Sequence, residues 1–214
     1  MSVLRGLLVY EGSSDRPLAD HVETIAAASG VDLEVAAPDL SLLPQPPGHV
    51  LRDKLSAALQ LMDSRCDVVF VHRDQDNQQW HHRALEIADA VAEVCPGLPH
   101  ACVVPVTMTE AWLLLDEASI REVAGNPRGR TPLGLPKLRE VEKVRDPKAL
   151  LKCALVAAAE HSGRRRIQFQ QDFPIHRRQL LERLDPSGPV RELPSWIRFQ
   201  SEVLTAVAGW ELHR

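Results

Sequence analysis

The chain has no cysteine pair spaced for a zinc site or a redox couple. Its four cysteines (Cys66, Cys95, Cys102 and Cys153) are scattered with no CxxC, and they read as reduced packing residues of a cytosolic protein, not as a disulfide framework. No apolar run approaches the roughly 20 residues that span a bilayer, so no membrane partner is expected. There is no Walker loop, no GxGxxG and no Ser-His-Asp arrangement, so ATP hydrolysis by this chain alone is not expected. Internal repeats and low-complexity tracts are also missing. The N-terminal MSVLRGLLVYEG turns acidic too soon for a signal peptide, and a cytoplasmic location is expected. What is present is 214 residues with 44% hydrophobic content, enough for one generous domain, or for a domain with a helical extension.

The net charge of −4 hides an asymmetry. Residues 1–120 hold 7 Lys and Arg against 18 Asp and Glu, whereas residues 121–183 hold 15 against 7. An acidic half followed by a basic half suggests a polyanionic partner. The alternative is that Lys and Arg merely solvate helices in the second half.

VLRGLLVY (3–10) and DVVFVH (67–72) are apolar runs of strand length, VDLEVAAP (31–38) alternates, and HACVVPV (100–106) supplies a fourth strand. Between them helices are predicted from Asp15-Arg-Pro17 to Ser29, over 50–64, and from Gln78 to Cys95, with another from Thr109 to about Asp116. Strand alternating with helix predicts an α/β fold with an open, mostly parallel sheet of about four strands. Beyond Gly125 the pattern changes to a Pro-, Gly- and Arg-rich loop, then helices near 147–161, 174–184 and 195–208. The expected organisation is an α/β domain over 1–124 and a basic loop and helical extension over 125–214 packed on it.

Two acidic clusters stand at predicted strand ends: Glu11-Gly-Ser-Ser-Asp15, and Asp74-Gln-Asp76. Ligands of open α/β sheets bind outside the carboxyl ends of the strands, where all four acids fall. Like charges gathered there raise each other's pKa unless a cation neutralises them, and Mg²⁺ prefers such oxygen ligands. Asp74 and Asp76 are two apart, so in extended geometry both face one side; the competing reading is an Asx-turn capping the next helix. Asp15 before Arg16-Pro17 also reads as an N-cap. Glu110 closes Thr107-Met-Thr-Glu110, a capping box as written, or else is a further metal ligand. Trp112 and Leu113 on the same stretch read as core.

Lys137, Lys148 and Lys152 are candidates for phosphate contact, the last two one helical turn apart. Arg164, Arg165 and Arg166, with Arg177 and Arg178, are the best nucleic-acid contacts, able to grip phosphates regardless of sequence. His81 and His82 read as surface or supporting residues.

YEGSSD followed by VFVHRDQD resembles the Toprim fold shared by topoisomerases, primases and OLD-family nucleases. MTEAWLLLD (108–116) and VEKVRDPKALL (141–151) resemble the Toprim-related family called domain of unknown function 4276. The likeness runs in motif order over roughly residues 4–152, and EAWLL is its most specific part. The resemblance implies a Toprim-like sheet in which Glu11 is the general acid/base, Asp74 and Asp76 hold Mg²⁺ (or Mn²⁺), and Asp15 is an additional acid. It thereby implies phosphodiester cleavage of nucleic acid, with metal stabilising the attacking and leaving oxygens, and a separately encoded ATPase as partner. Arg73 and Gln75 depart from the pattern, in which small or acidic residues are commoner beside the first aspartate. The alternative is a non-catalytic Toprim-shaped module that binds nucleic acid or protein. A phosphohydrolase with an aspartyl nucleophile fits least, because its DxD would follow the first strand.

Overall fold

The computed structural model describes residues 3–62, 65–75 and 79–212. It divides into two compact units, Met1–Val104 with Ile197–Arg214, and Pro105–Trp196.

The first unit is built on strands β1 (Leu4–Val9), β2 (Leu33–Ala36), β3 (Val68–His72) and β4 (His100–Val103). They form one all-parallel sheet in the order β2-β1-β3-β4. The connections carry helices α1 (Leu18–Ala28), α2 (Leu51–Leu61) and α3 (Trp80–Val94). This is the α/β class expected from the sequence, and the layout is consistent with a Toprim-like sheet. β1 and β3 are buried almost throughout because they lie inside the order and are covered on both faces. Parallel crossovers are right-handed almost without exception. The step from β1 to β2 runs opposite to the steps from β2 to β3 and from β3 to β4, so α1 covers one face while α2 and α3 share the other. Accordingly α2 packs on α3, and Leu7, Val9, Val69 and Val71 meet Leu55, Ala58, Ile87 and Val91 in one core. The side chains between them, Leu8 and Phe70, are equally buried and point the other way.

Gly6 is required by this packing. A Cβ there would sit 2.9 Å from a Phe70 ring carbon and 3.2 Å from both Leu33 and Val35.

The second unit is helical: α4 (Glu110–Leu113), α5 (Glu117–Val123), α6 (Pro147–Ala159), α7 (Gly163–Gln171) and α8 (Phe173–Glu182). A long final helix, α9 (Pro194–Leu212), begins in it and continues through the closing segment of the first unit. The fully buried Trp112 and Trp196 rings pack edge to face at 5.0 Å, and Trp112 Nε1 donates to Ser195 Oγ at 2.7 Å. The expected boundary between residues 124 and 125 falls inside this unit. Gly125, at φ 74°, is the stop of α5.

Three local expectations are corrected. Asp15 does not cap α1, whose first residue is Leu18; it closes a short 3-10 turn, Ser13–Asp15, and its carboxylate turns inward to accept from the Gly12 N–H at 3.2 Å. The Thr107–Glu110 capping box does not form: Thr107 is left-handed (φ 59°) and lies outside α4, while Glu110 turns to Arg177. The basic run Arg164-Arg165-Arg166 is the first turn of α7, which the sequence hides because Phe169 is the helix's sole buried residue.

Candidate functional site

The chain leaves β1 towards β2 and then returns past β1 to β3, so the carboxyl ends of β1 and β3 bound the switch-point crevice of the sheet. Pairing of Val9 with Val71 brings Glu11 beside Arg73 and Asp74. The Asp74 backbone N–H lies 3.4 Å from Glu11 Oε2. Two of the expected acids therefore meet across 63 residues of chain. Asp76, the other half of the DxD, lies outside the described residues.

Asp15 is 4% exposed and belongs to the same cluster through His72, the last residue of β3. His72 Nδ1 stands 3.8 Å from Asp15 Oδ2, and its Nε2 stands 3.5 Å from Asp74 Oδ1. Burial alone would push the His72 pKa down. The carboxylates of Asp15, Asp74 and Glu11 outweigh that and hold it above its ordinary 6.5. When protonated, the imidazole is the cation that stands between these two carboxylates.

Counting acids alone overstates the charge of the crevice. Arg73 places Nη1 2.9 Å from Glu11 Oε1 and Nη2 3.1 Å from Glu86 Oε1. Arg83 of α3 donates from Nε to the Asp74 carbonyl at 3.1 Å and from Nη1 to Glu86 Oε2 at 2.8 Å. Lys54, in the first turn of α2, donates to the Glu11 carbonyl at 3.3 Å. The acids thus come with their own cations. Arg73, Arg83 and Lys54 were not legible as site residues, because each is placed by strand and helix packing and not by a motif; His72 was legible through its place close to the DxD.

A hard divalent cation fits this donor set in kind, since Glu11 and Asp74 offer carboxylate oxygens at one edge. In number the described residues fall short: no group of three His, Cys, Asp or Glu among them is arranged to hold an ion.

The other expected residues lie in the second unit, and each is described there by itself. Glu110 is 2% exposed and its Oε1 accepts from Arg177 Nε at 2.8 Å. Arg177 is thus buried and committed to an ion pair, not presented on the surface for a phosphate. Arg178 is exposed and pairs with Glu182 one turn on. Lys137, Lys148, Lys152, Arg164, Arg165 and Arg166 are all exposed. Lys152 and Arg166 line one open hollow with His161 and Gln170, so these two basic side chains from α6 and α7 converge. His81 and His82, in the first unit, are exposed at the start of α3. Asp116 caps α5, accepting from Ser119 N–H at 3.1 Å and Ser119 Oγ at 2.6 Å.

Among the described residues no helix is long and apolar enough to cross a membrane. No family model matches the chain, and neither does any curated protein or solved structure.

Proposed function

We propose that this chain is a Toprim-like, Mg²⁺-dependent phosphodiesterase acting on nucleic acid. One observation carries the reading: Glu11 and Asp74 converge at the switch point of a parallel sheet, with the Asp74 N–H 3.4 Å from Glu11 Oε2. Glu11 and Asp74 would hold the ion, with Asp76, two residues on, as the remaining expected donor. Bound there, Mg²⁺ supplies charge stabilisation for the attacking and leaving oxygens of a phosphodiester. Glu11, whose side chain remains partly exposed, would act as the base that takes the proton of the attacking water. His72 fixes the Asp74 carboxylate, and Arg83 fixes the same residue through its carbonyl. Lys152 and Arg166, with the other exposed basic side chains of the second unit, supply sequence-independent phosphate contacts. The four free cysteines suit a reducing cytoplasm, and an ATPase, which the family resemblance implies, is placed on a separate chain.

Purified protein incubated with labelled DNA and RNA tests this. Cleavage that requires Mg²⁺ or Mn²⁺, and that Asp74→Asn abolishes with unchanged circular dichroism, is the expected result. The arginine clamp on Glu11 favours a second reading, a binding module whose acids are neutralised internally by Arg73. Nucleic-acid binding that is indifferent to EDTA, with no cleavage even when an ATPase partner is supplied, establishes the second reading and removes the first.

A further inference from the structure

Beside the crevice, at the carboxyl ends of β1 and β2, lies a cavity of about 230 Å³ that shares Glu11 with the acidic site. Drug-sized ligands occupy pockets of about 300–1,000 Å³, so this one lies just below that range and admits no more than one nucleotide unit. Its walls are flat and rigid: Tyr10, Pro38 and Pro47, with the Tyr10 hydroxyl tied to the Pro38 carbonyl at 3.0 Å. Among the described residues Lys54 is the one Lys or Arg in its lining, and its Nζ is held at the Glu11 carbonyl. Asp39 adds a carboxylate that accepts from both the hydroxyl and the N–H of Ser41, at 2.6 Å and 3.0 Å. These bonds hold its pKa below the ordinary carboxylate value. An anionic group is thereby favoured at Lys54 and refused at Asp39, which instead accepts from a hydroxyl or amino group.

We propose that this cavity binds one nucleotide unit, with its base against the prolyl and tyrosyl walls and its phosphate at Lys54. The inference rests on the phosphodiesterase reading of the adjoining crevice and names where the nucleotide next to the cleaved phosphate is seated. A flat heteroaromatic base suits rigid apolar walls, and stacking of this kind tolerates any base. A free nucleotide and a nucleotide within a strand present the same chemistry to the site.

Calorimetric titration with AMP and with a short oligothymidylate, both in EDTA, tests the proposal without any metal. Lys54→Met removes the cation, and Ser41→Trp at the exposed rim adds bulk over the cavity and also removes the hydroxyl bond to Asp39. Wild-type protein is expected to bind at least one of the two probes. Lys54→Met should weaken that binding about tenfold or more, as expected for a lost charge-assisted hydrogen bond, and Ser41→Trp should abolish it, both with wild-type circular dichroism. Binding of AMP that the oligomer does not displace assigns the site to free nucleotides; binding of the oligomer that both variants weaken assigns it to a strand. Binding unaffected by both variants, or no binding of either probe to wild type, overturns the proposal. Failure of the phosphodiesterase reading is separable: wild type then cleaves nothing with Mg²⁺ while its Lys54-dependent binding in EDTA persists.

Discussion

The molecule holds two glutamate–arginine pairs of the same chemistry in different surroundings. In the second unit, Glu110 and Arg177 are 2% and 6% exposed at the side chain and meet at 2.8 Å. In the first, Glu11 and Arg73 are 29% and 15% exposed and meet at 2.9 Å. Distance does not separate them; solvent and neighbours do. The dry pair has no route by which another cation could replace the arginine, and either partner left alone would be a buried charge. The open pair stands at a strand end beside Asp74 and Glu86, partly open to solvent. The first arrangement is a structural bolt; the second is where the proposed site lies.

Removing the bolt gives the largest expected effect. Arg177→Met leaves Glu110 buried without its cation and should destabilise the protein by about 3–5 kcal/mol, whereas combining it with Glu110→Leu should restore most of the loss. Urea unfolding followed by circular dichroism reads both. If single and double variants fall equally, the pair is not a unit of stability. Next comes a change that reaches the open pair from a distance. Gly6→Ala presses a methyl into Phe70, Leu33 and Val35 and should cost about 1–3 kcal/mol as overpacking. The strands it forces apart end at Glu11 and Asp74, so Mn²⁺ affinity should fall along with stability; a stability loss with unchanged affinity would detach the site from β1–β3 spacing.

Much of the first unit was legible in the sequence; in the second, α4, α6, α8 and α9 were legible as helices, while α5, α7 and the buried ion pair were not. LRGLLVY and DVVFVH read as buried strands because inner parallel strands are apolar on both faces, and that alone carried the acids to the carboxyl edge. Asp15 was misread as a cap because an acid before Arg-Pro fits that template, while its actual partners, the Gly12 N–H and His72, depend on a turn and on a strand 57 residues away. The Glu110–Arg177 pair is 67 residues apart in sequence, and a local capping pattern at Thr107–Glu110 competed for the same glutamate. Arg73 was noticed only as a departure from a motif. Its two guanidinium nitrogens reach Glu11 and Glu86, one on the neighbouring strand end and one on α3, and no spacing rule encodes that.

A smaller effect on stability is expected from opening the open pair. Arg73→Ala in EDTA should cost about 1 kcal/mol or less, in the range of partly exposed ion pairs, because Lys54 and His72 still offset the acids. Mn²⁺ should then bind several-fold more tightly, since it no longer competes with a guanidinium for Glu11; titration calorimetry measures this without reference to cleavage. Weaker binding in Arg73→Ala would show that the arginine supports the cation and does not displace it.

The smallest expected effect is a slope. His72 is held between Asp15 and Asp74 with its folded-state pKa above the ordinary 6.5, so the folded protein binds that proton more tightly than the unfolded chain does. Its contribution is complete below about pH 6.5 and is lost as pH rises through the folded-state value. His176 is shifted the other way, downward through burial against a smaller opposing effect of Asp172, so its contribution is lost as pH falls below 6.5, outside that window. Stability of the metal-free wild type should therefore decline with pH above 6.5, and His72→Gln should remove the decline while keeping a polar group at the strand end. The difference between the two curves isolates one imidazole. A difference that stays flat above pH 6.5 would mean that His72 takes up no extra proton on folding, and the two carboxylates beside it would then need a cation from outside, which is the condition under which the metal reading of the crevice becomes strongest.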